Sequence, residues 1–462
     1  LLALPVNTLA DQGVVATGFG PSSTHIKHIV IIMMENHAFD NFYGKYCPAV
    51  GTYCMSPVNG EPAGLCVDKN PSNPSLGCVK PYFLGTAGMM THDLAHTWNS
   101  THAAINNGKM NGFYAAEDSG NLPFGTFGSQ AIPIEWDLAE EYGLGDYFFS
   151  SVASYSLPNH WYLVAADAPP QGINLSMPNN GHATAAYKHA YLNNANSTKT
   201  VEDLLNVTPK VSWKYYDWSL PTYQKSISGG WGEIGAYNYW NPLAATAQSY
   251  ESEFSRHFVN RTNFFTAAAA GTLPDISWVI PGDTFSQHPQ LGNLSNGSAY
   301  IAQMIDAVEE SPDWKSTAIF LTWDEYGGWY DGVAPPKTDS NDDGLGLRVP
   351  LIVISPYTPL GEVSGSFGDF ESLLHMVEWQ FGLGCLNSLD CSAPLPFSYF
   401  DFNQTARAPI IFPTGDAYAS YPMKLQSNPT KELLCPTNCT ITPDRWNNPT
   451  VAPPIIPGVD YS

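Results

Sequence analysis

Residues 25–36 of the chain read HIKHIVIIMMEN. The centre of this stretch, Ile29 to Met34, is an unbroken apolar run and not an alternating pattern. Runs of this kind are typical of strands that are buried on both faces of an α/β sheet. Three further segments have the same character and are also predicted as strands: 275–280 (DISWVI), 316–323 (STAIFLTW) and 349–355 (VPLIVIS).

Helical patterns lie between these strands, at residues 159–166, 301–310 and 369–381. Strands that alternate with helices predict an α/β fold with a mostly parallel central sheet and helices on both faces. We divide the chain into an N-terminal extension (1–24), a main domain (25–385) and an irregular, Pro-rich C-terminal segment (386–462) that packs on the main domain.

Composition excludes several classes of protein. The 462 residues include 19 Lys plus Arg and 42 Asp plus Glu, which gives a net charge of -23. So few basic residues argue against a nucleic-acid-binding protein. A hydrophobic content of 44% and an aromatic content of 13% exclude a largely disordered chain. No run of 18 apolar residues occurs in the sequence, so no transmembrane helix is predicted.

Cysteines and glycosylation sequons indicate an oxidising compartment. Eight cysteines fall into local clusters, for which we predict disulfides within each cluster, leaving the pairing among the first four open: Cys47, Cys54, Cys66, Cys78, then Cys385, Cys391, then Cys435, Cys439. Nine N-x-S/T sequons begin at Asn99, Asn174, Asn196, Asn206, Asn260, Asn293, Asn296, Asn403 and Asn438. The chain begins at Leu1, as a processed N-terminus does. We therefore predict a secreted protein with N-linked glycans.

Acidic and amide side chains follow two of the predicted strands. Glu35 and Asn36 follow the first, and Asp324 and Glu325 follow the strand near residue 320. Ligands of open α/β sheets bind beyond the carboxyl ends of the strands. Three carboxylates and an amide oxygen suit a hard divalent cation or a zinc-like site. The alternative is that these are ordinary loop or cap residues.

Three further residues are candidates for catalysis. Ser156 lies in SYSLPNHW, just before a predicted helix, where a serine is either a helix cap or a nucleophile. His96 and His288 carry imidazoles that can bind phosphate, ligate a metal or protonate a leaving group, although most of the twelve histidines have no such role. Asp339 to Gly344 resembles the start of a calcium loop, but Pro350 stands where that loop needs Glu, so we predict a polar turn.

Seven blocks in order carry a family resemblance: residues 28–44 (HIVIIMMENHAFDNFYG), 93–113 (DLAHTWNSTHAAINNGKMNGF), 154–163 (SYSLPNHWYL), 271–289 (GTLPDISWVIPGDTFSQHP), 322–336 (TWDEYGGWYDGVAPP), 347–358 (LRVPLIVISPYT) and 370–383 (FESLLHMVEWQFGL). Together they resemble the phosphoesterase family that joins bacterial phospholipases C and acid phosphatases of the alkaline-phosphatase superfamily. The resemblance implies an alkaline-phosphatase-like fold and makes residues 25–385 a phosphoesterase catalytic domain.

The resemblance also implies roles for the candidate residues. Glu35, Asn36, Asp324 and Glu325 would hold one divalent metal ion, whose identity stays open. Ser156 would be the nucleophile that forms a phosphoseryl intermediate. His96 and His288 would line the phosphate pocket and assist the leaving oxygen.

Three positions depart from the family pattern. His37 stands where the family has Arg after Glu-Asn, Gln287 replaces the Glu before His-Pro, and Gly332 replaces the His of Asp-His. The absence of a histidine at position 332 removes a contact to metal ligands or phosphate, which affects the expected rate and substrate range. A further phosphate-binding histidine could come from His182, His189 or His257.

Three functions stay open at this point. We place acid phosphatase first. Phospholipase C is an alternative, for which Trp329 and Tyr330 could form a lipid-facing surface. A non-catalytic extracellular glycoprotein that reuses the fold is the third. Because a chain of charge -23 repels an anionic ester, we also expect an acidic pH optimum, at which His96 and His288 are charged.

Overall fold

A computed structural model of the chain describes residues 20–46, 57–84, 92–116, 120–169, 197–217, 240–245, 254–337 and 344–412. Its centre is an eight-stranded sheet covered by helices, so the predicted α/β class is confirmed. Among the described helices, none combines the length and apolar character that crossing a membrane requires.

The strands are, in chain order, β1 His28–Met34, β2 Val67–Asp68, β3 Cys78–Val79, β4 Tyr82–Leu84, β5 Gly125–Phe127, β6 Gly143–Gly145, β7 Trp213–Asp217, β8 Phe258–Val259, β9 Ile276–Ile280, β10 Thr317–Trp323, β11 Leu351–Ile354 and β12 Val363–Ser364. The central sheet has the order β12-β6-β11-β10-β1-β9-β7-β8. Its strands pair in parallel except at β10–β11 and β11–β6. The sheet is thus mostly parallel, as predicted.

The helices are α1 Phe39–Tyr43, α2 Trp98–Ile105, α3 Phe113–Ala116, α4 Pro133–Glu141, α5 Ser156–Ala165, α6 Val201–Val207, α7 Phe254–His257, α8 Thr262–Ala270, α9 Leu294–Glu309, α10 Phe370–Phe381 and α11 Ser388–Ser392. Single turns of 3-10 helix lie at Pro21–Ser23, Pro74–Leu76, Leu122–Phe124, Pro242–Ala245, Asp283–Phe285, Trp314–Ser316 and Phe397–Tyr399.

Strand β1 is central because its sequence allows burial on every side. Its residues from Ile29 to Met34 are fully buried, and it pairs in parallel with both β9 and β10. The β-branched residues of β1 suit this position because they pack well on a pleated surface. The unbroken apolar run therefore identifies the strand about which the sheet is built.

Two helices extend further towards the N-terminus than the apolar pattern predicts. Helix α9 begins at Leu294, seven residues before the predicted segment, because the side chain of Asn293 accepts a hydrogen bond from the main-chain NH of Asn296. The N-cap residue determines where this helix begins, whereas the apolar spacing becomes visible only further along the helix. Helix α5 begins at Ser156 and not at the predicted residue 159.

A buried arginine joins three separate segments around the sheet. The Arg348 guanidinium lies 3.0 Å from Oδ1 of Asp331, 3.0 Å from Oδ1 of Asp40 and 3.2 Å from Oδ1 of Asp146. Asp40 lies in α1, just beyond the end of β1, and Asp331 follows β10. Arg348 therefore connects the two segments that leave the carboxyl ends of the central strands.

Two disulfides lie within the predicted clusters, Cys66–Cys78 and Cys385–Cys391. Cys47, Cys54, Cys435 and Cys439 lie outside the described residues. In the described part of the C-terminal segment, the main-chain NH of Phe412 donates to Oδ1 of Asp306 on α9, at 2.9 Å. The division into three segments stays a prediction.

Replacing Arg348 should destabilise the protein strongly. Arg348→Met leaves three buried or partly buried aspartates without their cation, which lowers the free energy of unfolding by about 3–5 kcal/mol. Lys27→Met is the matched control, since Lys27 is exposed and its loss changes stability by about 0.5 kcal/mol or less. Denaturant unfolding measures both values, and equal losses in the two variants would contradict the role of Arg348.

Candidate active site

The carboxyl ends of β1 and β10 bring two acidic segments together. Met34 pairs with Trp323 at the last position of both strands, so Glu35 and Asp324 follow as neighbours. The main-chain NH of Asp324 donates to the carbonyl of Met34 at 3.0 Å, and that of Asn36 donates to Oδ1 of Asp324 at 3.0 Å. We call Glu35, Asn36, Asp324 and Glu325 the strand-end site. All four side chains are fully buried.

The backbone beside this site needs a glycine. Asn36 has a φ of 59° and Gly327 a φ of 62°, both in the left-handed region. A Cβ on residue 327 would lie 2.2 Å from the carbonyl oxygen of Asn36. The NH of Gly327 donates to Oε2 of Glu325 at 2.8 Å. Gly327 thus allows the loop after β10 to approach Asn36 and hold the Glu325 carboxylate.

Ser156 faces the strand-end site from the first turn of α5. Its hydroxyl lies 3.1 Å from Oε2 of Glu35 and 3.3 Å from Oδ1 of Asn36, and the residue is 6% exposed. The N-cap position of α5 belongs to Tyr155, so Ser156 is not the cap residue of this helix. Its hydroxyl is therefore directed at a carboxylate and an amide, at the positive end of the helix.

The two candidate histidines lie beside Asn36. Nε2 of His96 lies 3.4 Å from Nδ2 of Asn36 and 4.0 Å from Oε1 of Glu325. The rings of His96 and His288 meet edge to face, with their centroids 6.1 Å apart. The structure thus brings together all seven candidate residues. Burial lowers the pKa of His96 and of His288, so their charging needs a more acidic pH than their sequence alone indicates.

The electrostatics of the strand-end site fit a divalent cation. Burial raises the pKa of Glu35 well above its usual range, and the charges of Asp324 and Glu325 raise it further. Burial also raises the pKa of Asp324 to about 6, and its Oδ2 makes no hydrogen bond within the described residues. Clustered, buried oxygen donors with this excess of negative charge are the ligands that hard cations prefer.

One residue of this site was missed from the sequence. Nε2 of His160 lies 2.8 Å from Oε1 of Glu35 and 4.0 Å from Oδ2 of Asp324, and its side chain is fully buried. His160 stands four residues after Ser156, so both face the same side of α5. That spacing was visible in the sequence. Its ring can orient the Glu35 carboxylate or serve as a metal ligand.

His37 and Gln287, two of the departures from the family pattern, are buried and make polar contacts. Burial lowers the pKa of His37 to about 3, and its Nδ1 lies 2.6 Å from Oδ1 of Asn41. A neutral imidazole therefore stands where the family has a cationic arginine. Nε2 of Gln287 donates to Oε1 of Glu135 at 2.7 Å, which a glutamate at position 287 could not do.

The lipid-facing surface predicted at Trp329 and Tyr330, in the loop after β10, is wrong. Trp329 is 1% exposed and Tyr330 is 5% exposed, so neither forms the lipid-facing surface proposed for them. Trp329 stacks against His37, and Tyr330 packs against Phe113. Aromatic residues in an irregular segment are as suited to a core as to a surface, and the local sequence carries no periodicity that separates the two.

The third departure from the family pattern lies in the same loop. The NH of Gly332 donates to Oδ2 of Asp40 at 2.8 Å. A Cβ at position 332 would lie 3.2 Å from the Tyr330 hydroxyl. The ring of His257 stacks on that of Trp213, with the ring centroids 4.0 Å apart. The remaining candidates lie outside the described residues: His182, His189 and most of the Asp339–Gly344 turn.

The fold and these contacts define a class of protein: an α/β protein with a serine directed at a buried, oxygen-rich site at the edge of its sheet. A model of the Phosphoesterase family matches residues 26–384. The chain belongs to the Phosphoesterase family, and it is thereby classed with the phosphoric ester hydrolases.

Curated relatives include several phospholipases C. The chain is 26% identical over 415 residues to non-hemolytic phospholipase C of Burkholderia pseudomallei, which covers 77% of this chain and 55% of that protein. It is 28% identical over 414 residues to phospholipase C A of Mycobacterium tuberculosis, with 80% and 76% covered. It is 26% identical over 380 residues to non-specific phospholipase C1 of Arabidopsis thaliana, with 73% and 62% covered. The chain thus spans little more than half of the Burkholderia protein.

Solved structures give a weaker likeness. The lipoteichoic acid synthase LtaP from Listeria monocytogenes matches with a TM-score of 0.38 and 9% identity, covering 81% of this chain and 77% of that one. A protein in the alkaline phosphatase superfamily from Vibrio parahaemolyticus matches with a TM-score of 0.34 and 10% identity, covering 57% and 64%. At these TM-scores the likeness carries no argument about activity.

Removing one carboxylate charge should separate metal binding from intrinsic stability. In metal-free protein, Asp324→Asn relieves repulsion among buried carboxylates and keeps the acceptor for the NH of Asn36, so its melting temperature should exceed that of the wild type by a few degrees. Saturating divalent metal should stabilise the wild type by about 2–3 kcal/mol and the variant much less.

Thermal scans with chelator and with added Mg²⁺, Mn²⁺, Ca²⁺ or Zn²⁺ provide the measurement. Equal stabilisation of wild type and Asp324→Asn by every ion would show that the strand-end site does not hold the metal.

Proposed function

We propose that the protein hydrolyses phosphoric esters with Ser156 as the nucleophile. The observation that supports this proposal is the direction of the Ser156 hydroxyl, which lies within 3.3 Å of both Glu35 and Asn36 at the end of β1. A serine is a weak nucleophile unless neighbouring groups accept its proton or lower its pKa. Here two acceptors and the start of α5 surround it.

Each residue has a distinct part in this proposal. Ser156 Oγ attacks phosphorus, the bond to the leaving oxygen breaks, and a phosphoseryl intermediate forms. The serine proton passes along its hydrogen bond to Glu35. The amide NH₂ of Asn36 donates towards an oxygen that gains negative charge in the transition state. Water then attacks the phosphoserine, the bond between phosphorus and Ser156 Oγ breaks to release phosphate or its monoester, and Glu35 returns the proton to Ser156 Oγ.

His96 holds or moves a proton at one defined atom. Its Nδ1 lies 2.7 Å from the carbonyl oxygen of Leu94, which can only accept, so Nδ1 carries the hydrogen. The lone pair is therefore on Nε2, the nitrogen beside Asn36. In the second step Nε2 can take a proton from the attacking water, and in its protonated form it can donate to the leaving oxygen.

A bound metal ion is part of the proposal. Glu35, Asn36, Asp324 and Glu325 would hold one divalent cation, which when bound polarises a phosphoryl oxygen and lowers the pKa of the serine hydroxyl. His160 would fix the orientation of Glu35 through its contact with Oε1. With Oε1 of Glu35 held by His160, Oε2 of the same carboxylate faces the Ser156 hydroxyl.

For the substrate, phospholipids are our first candidate and phosphate monoesters our second. The curated relatives named above are phospholipases C, which favours the diester bond of a phospholipid head group. The net charge of -23 disfavours anionic membranes, so a zwitterionic lipid such as phosphatidylcholine is the expected form. The burial of Ser156 and of the Trp329 and Tyr330 rings favours instead a small soluble ester, as an acid phosphatase takes.

We further propose that the protein is a secreted glycoprotein. The two disulfides Cys66–Cys78 and Cys385–Cys391 are compatible with an oxidising compartment. Of the predicted glycan acceptors, Asn99, Asn206 and Asn403 are exposed. The side chain of Asn293 caps α9, so we expect this sequon to be glycosylated less than the three exposed ones.

Ser156→Ala should abolish turnover. We expect kcat to fall at least about a thousand-fold, because the attacking atom is gone. Acid quenching during turnover should trap phosphate on Ser156 of the wild type, detectable by peptide mass spectrometry. The exposed Ser72→Ala is the matched control and should keep wild-type activity. Residual activity of Ser156→Ala near the wild-type value would contradict the proposal, and absence of turnover in the wild type would favour the non-catalytic alternative.

A substrate panel separates the two candidate substrates. We expect higher kcat/KM on phosphatidylcholine vesicles than on phosphatidylglycerol vesicles, with the difference decreasing as salt screens the charge of the chain. Release of phosphocholine measures the first reaction, and p-nitrophenyl phosphate tests for a phosphatase. Turnover of the monoester alone, with an acidic optimum, would favour the acid phosphatase.

A further inference from the structure

The loop after β9 carries His288 and is bonded to the end of β1 through its main chain. The NH of Glu35 donates to the carbonyl of Ser286 at 2.9 Å, and Ser286 Oγ accepts from the NH of His288 at 3.0 Å. Nδ1 of His288 lies 2.6 Å from the carbonyl oxygen of Pro289. The ring is thus oriented within its own loop, so its distance from the ring of His96 depends on where that loop lies.

A buried amide anchors this loop to the rest of the fold. Gln287 is fully buried, and its Nε2 donates to Oε1 of Glu135 on α4 at 2.7 Å. Its Oε1 accepts from the indole NH of Trp323, the last residue of β10, at 3.0 Å. Both ends of the amide are therefore bonded to elements outside the loop, which restricts the residue immediately before His288.

Two features that a polypeptide ordinarily disfavours accompany this anchor. Gln287 has a φ of 69°, in the left-handed region that residues with a side chain rarely adopt. A Cβ on Gly297 in α9 would lie 2.0 Å from Cγ of Gln287, so the lack of a side chain at position 297 leaves the space that Gln287 fills. Glycine is disfavoured inside helices, and a rare φ persists where the surrounding structure holds it.

We propose that Gln287 is a positioning residue for His288. Its side chain is fully buried, so it acts through the histidine that follows it and not on the substrate. The inference rests on the proposed function, in which His288 lines the phosphate pocket and assists the leaving oxygen. An amide suits this role because it both donates to Glu135 and accepts from Trp323, whereas the carboxylate that the family has at this position only accepts.

Two substitutions disturb the anchor in different ways. Gln287→Met removes both hydrogen bonds at nearly constant volume, and Gly297→Ala places a methyl group against Cγ of Gln287 while favouring the helix. Because a small misplacement of an active-site group slows the reaction strongly, we expect each to lower kcat about 10- to 100-fold. The assay uses the better substrate of phosphatidylcholine vesicles and p-nitrophenyl phosphate.

Gln380→Met is the matched control. The Gln380 amide is also bonded at both ends, to the carbonyl of Ile26 at 2.8 Å and to the hydroxyl of Thr24 at 3.0 Å. These contacts lie before the start of β1, at the opposite end of the strand from Glu35. Gln380→Met should therefore lower the melting temperature and keep the wild-type kcat.

A double-mutant cycle with His288→Ala separates positioning from a general loss of structure. If Gln287 acts through His288, Gln287→Met should change the kcat of His288→Ala by less than about threefold, although it lowers the wild-type value much more. Thermal unfolding shows which variants are folded at the assay temperature. If Gln287→Met is not folded, Gly297→Ala takes its place in the cycle.

Losses that multiply in the double variant would overturn the inference, and so would a wild-type kcat in His288→Ala or in the two anchor variants. The proposed function is tested separately by Ser156→Ala. If that variant loses turnover while the losses at positions 287 and 288 multiply, the proposed function stands and only the positioning role fails. Turnover that does not depend on Ser156 would contradict the proposed function itself.

Discussion

The structure depends on the burial of several like-charged groups close together at one edge of its sheet. Glu35, Asp324 and Glu325 are fully buried at the ends of two adjacent parallel strands, and burial together with mutual repulsion raises the pKa of Glu35 well above its usual range. The fold maintains this arrangement because Met34 and Trp323 are the last residue pair of β1 and β10. The residues that follow them, Glu35 and Asp324, therefore lie side by side. The divalent cation that we propose for this site would offset the repulsion among these carboxylates.

The surrounding elements hold that arrangement in place. Arg348 connects Asp40 and Asp331, which lie in the segments that leave the two strands. Gly327 allows those two segments to approach each other. His160 on α5 contacts Oε1 of Glu35. The hydroxyl of Ser156, one turn earlier on the same helix, then meets the other oxygen of the same carboxylate. In the proposed function, metal binding and the position of Ser156 are therefore linked through the Glu35 side chain.

Much of this could be predicted from sequence, for identifiable reasons. Unbroken apolar runs identified the strands that became β1, β9, β10 and β11, and the position of polar residues directly after two of them placed Glu35 and Asp324 at one edge. His160 was missed because its relevance depends on α5 beginning at Ser156, which the apolar pattern placed three residues later. Trp329 and Tyr330 were assigned wrongly, because burial in a loop depends on packing against His37 and Phe113 from distant segments.

A crystal structure of the metal-loaded protein with vanadate would test the roles of Ser156 and the strand-end site together, since vanadate adopts the geometry of a phosphoryl group in transfer. We expect vanadium bonded to Ser156 Oγ, with a cation beside it that is held by Glu35, Asn36, Asp324 and Glu325. Vanadate bound away from Ser156, or a cation that makes no contact with these four residues, would contradict the proposed roles.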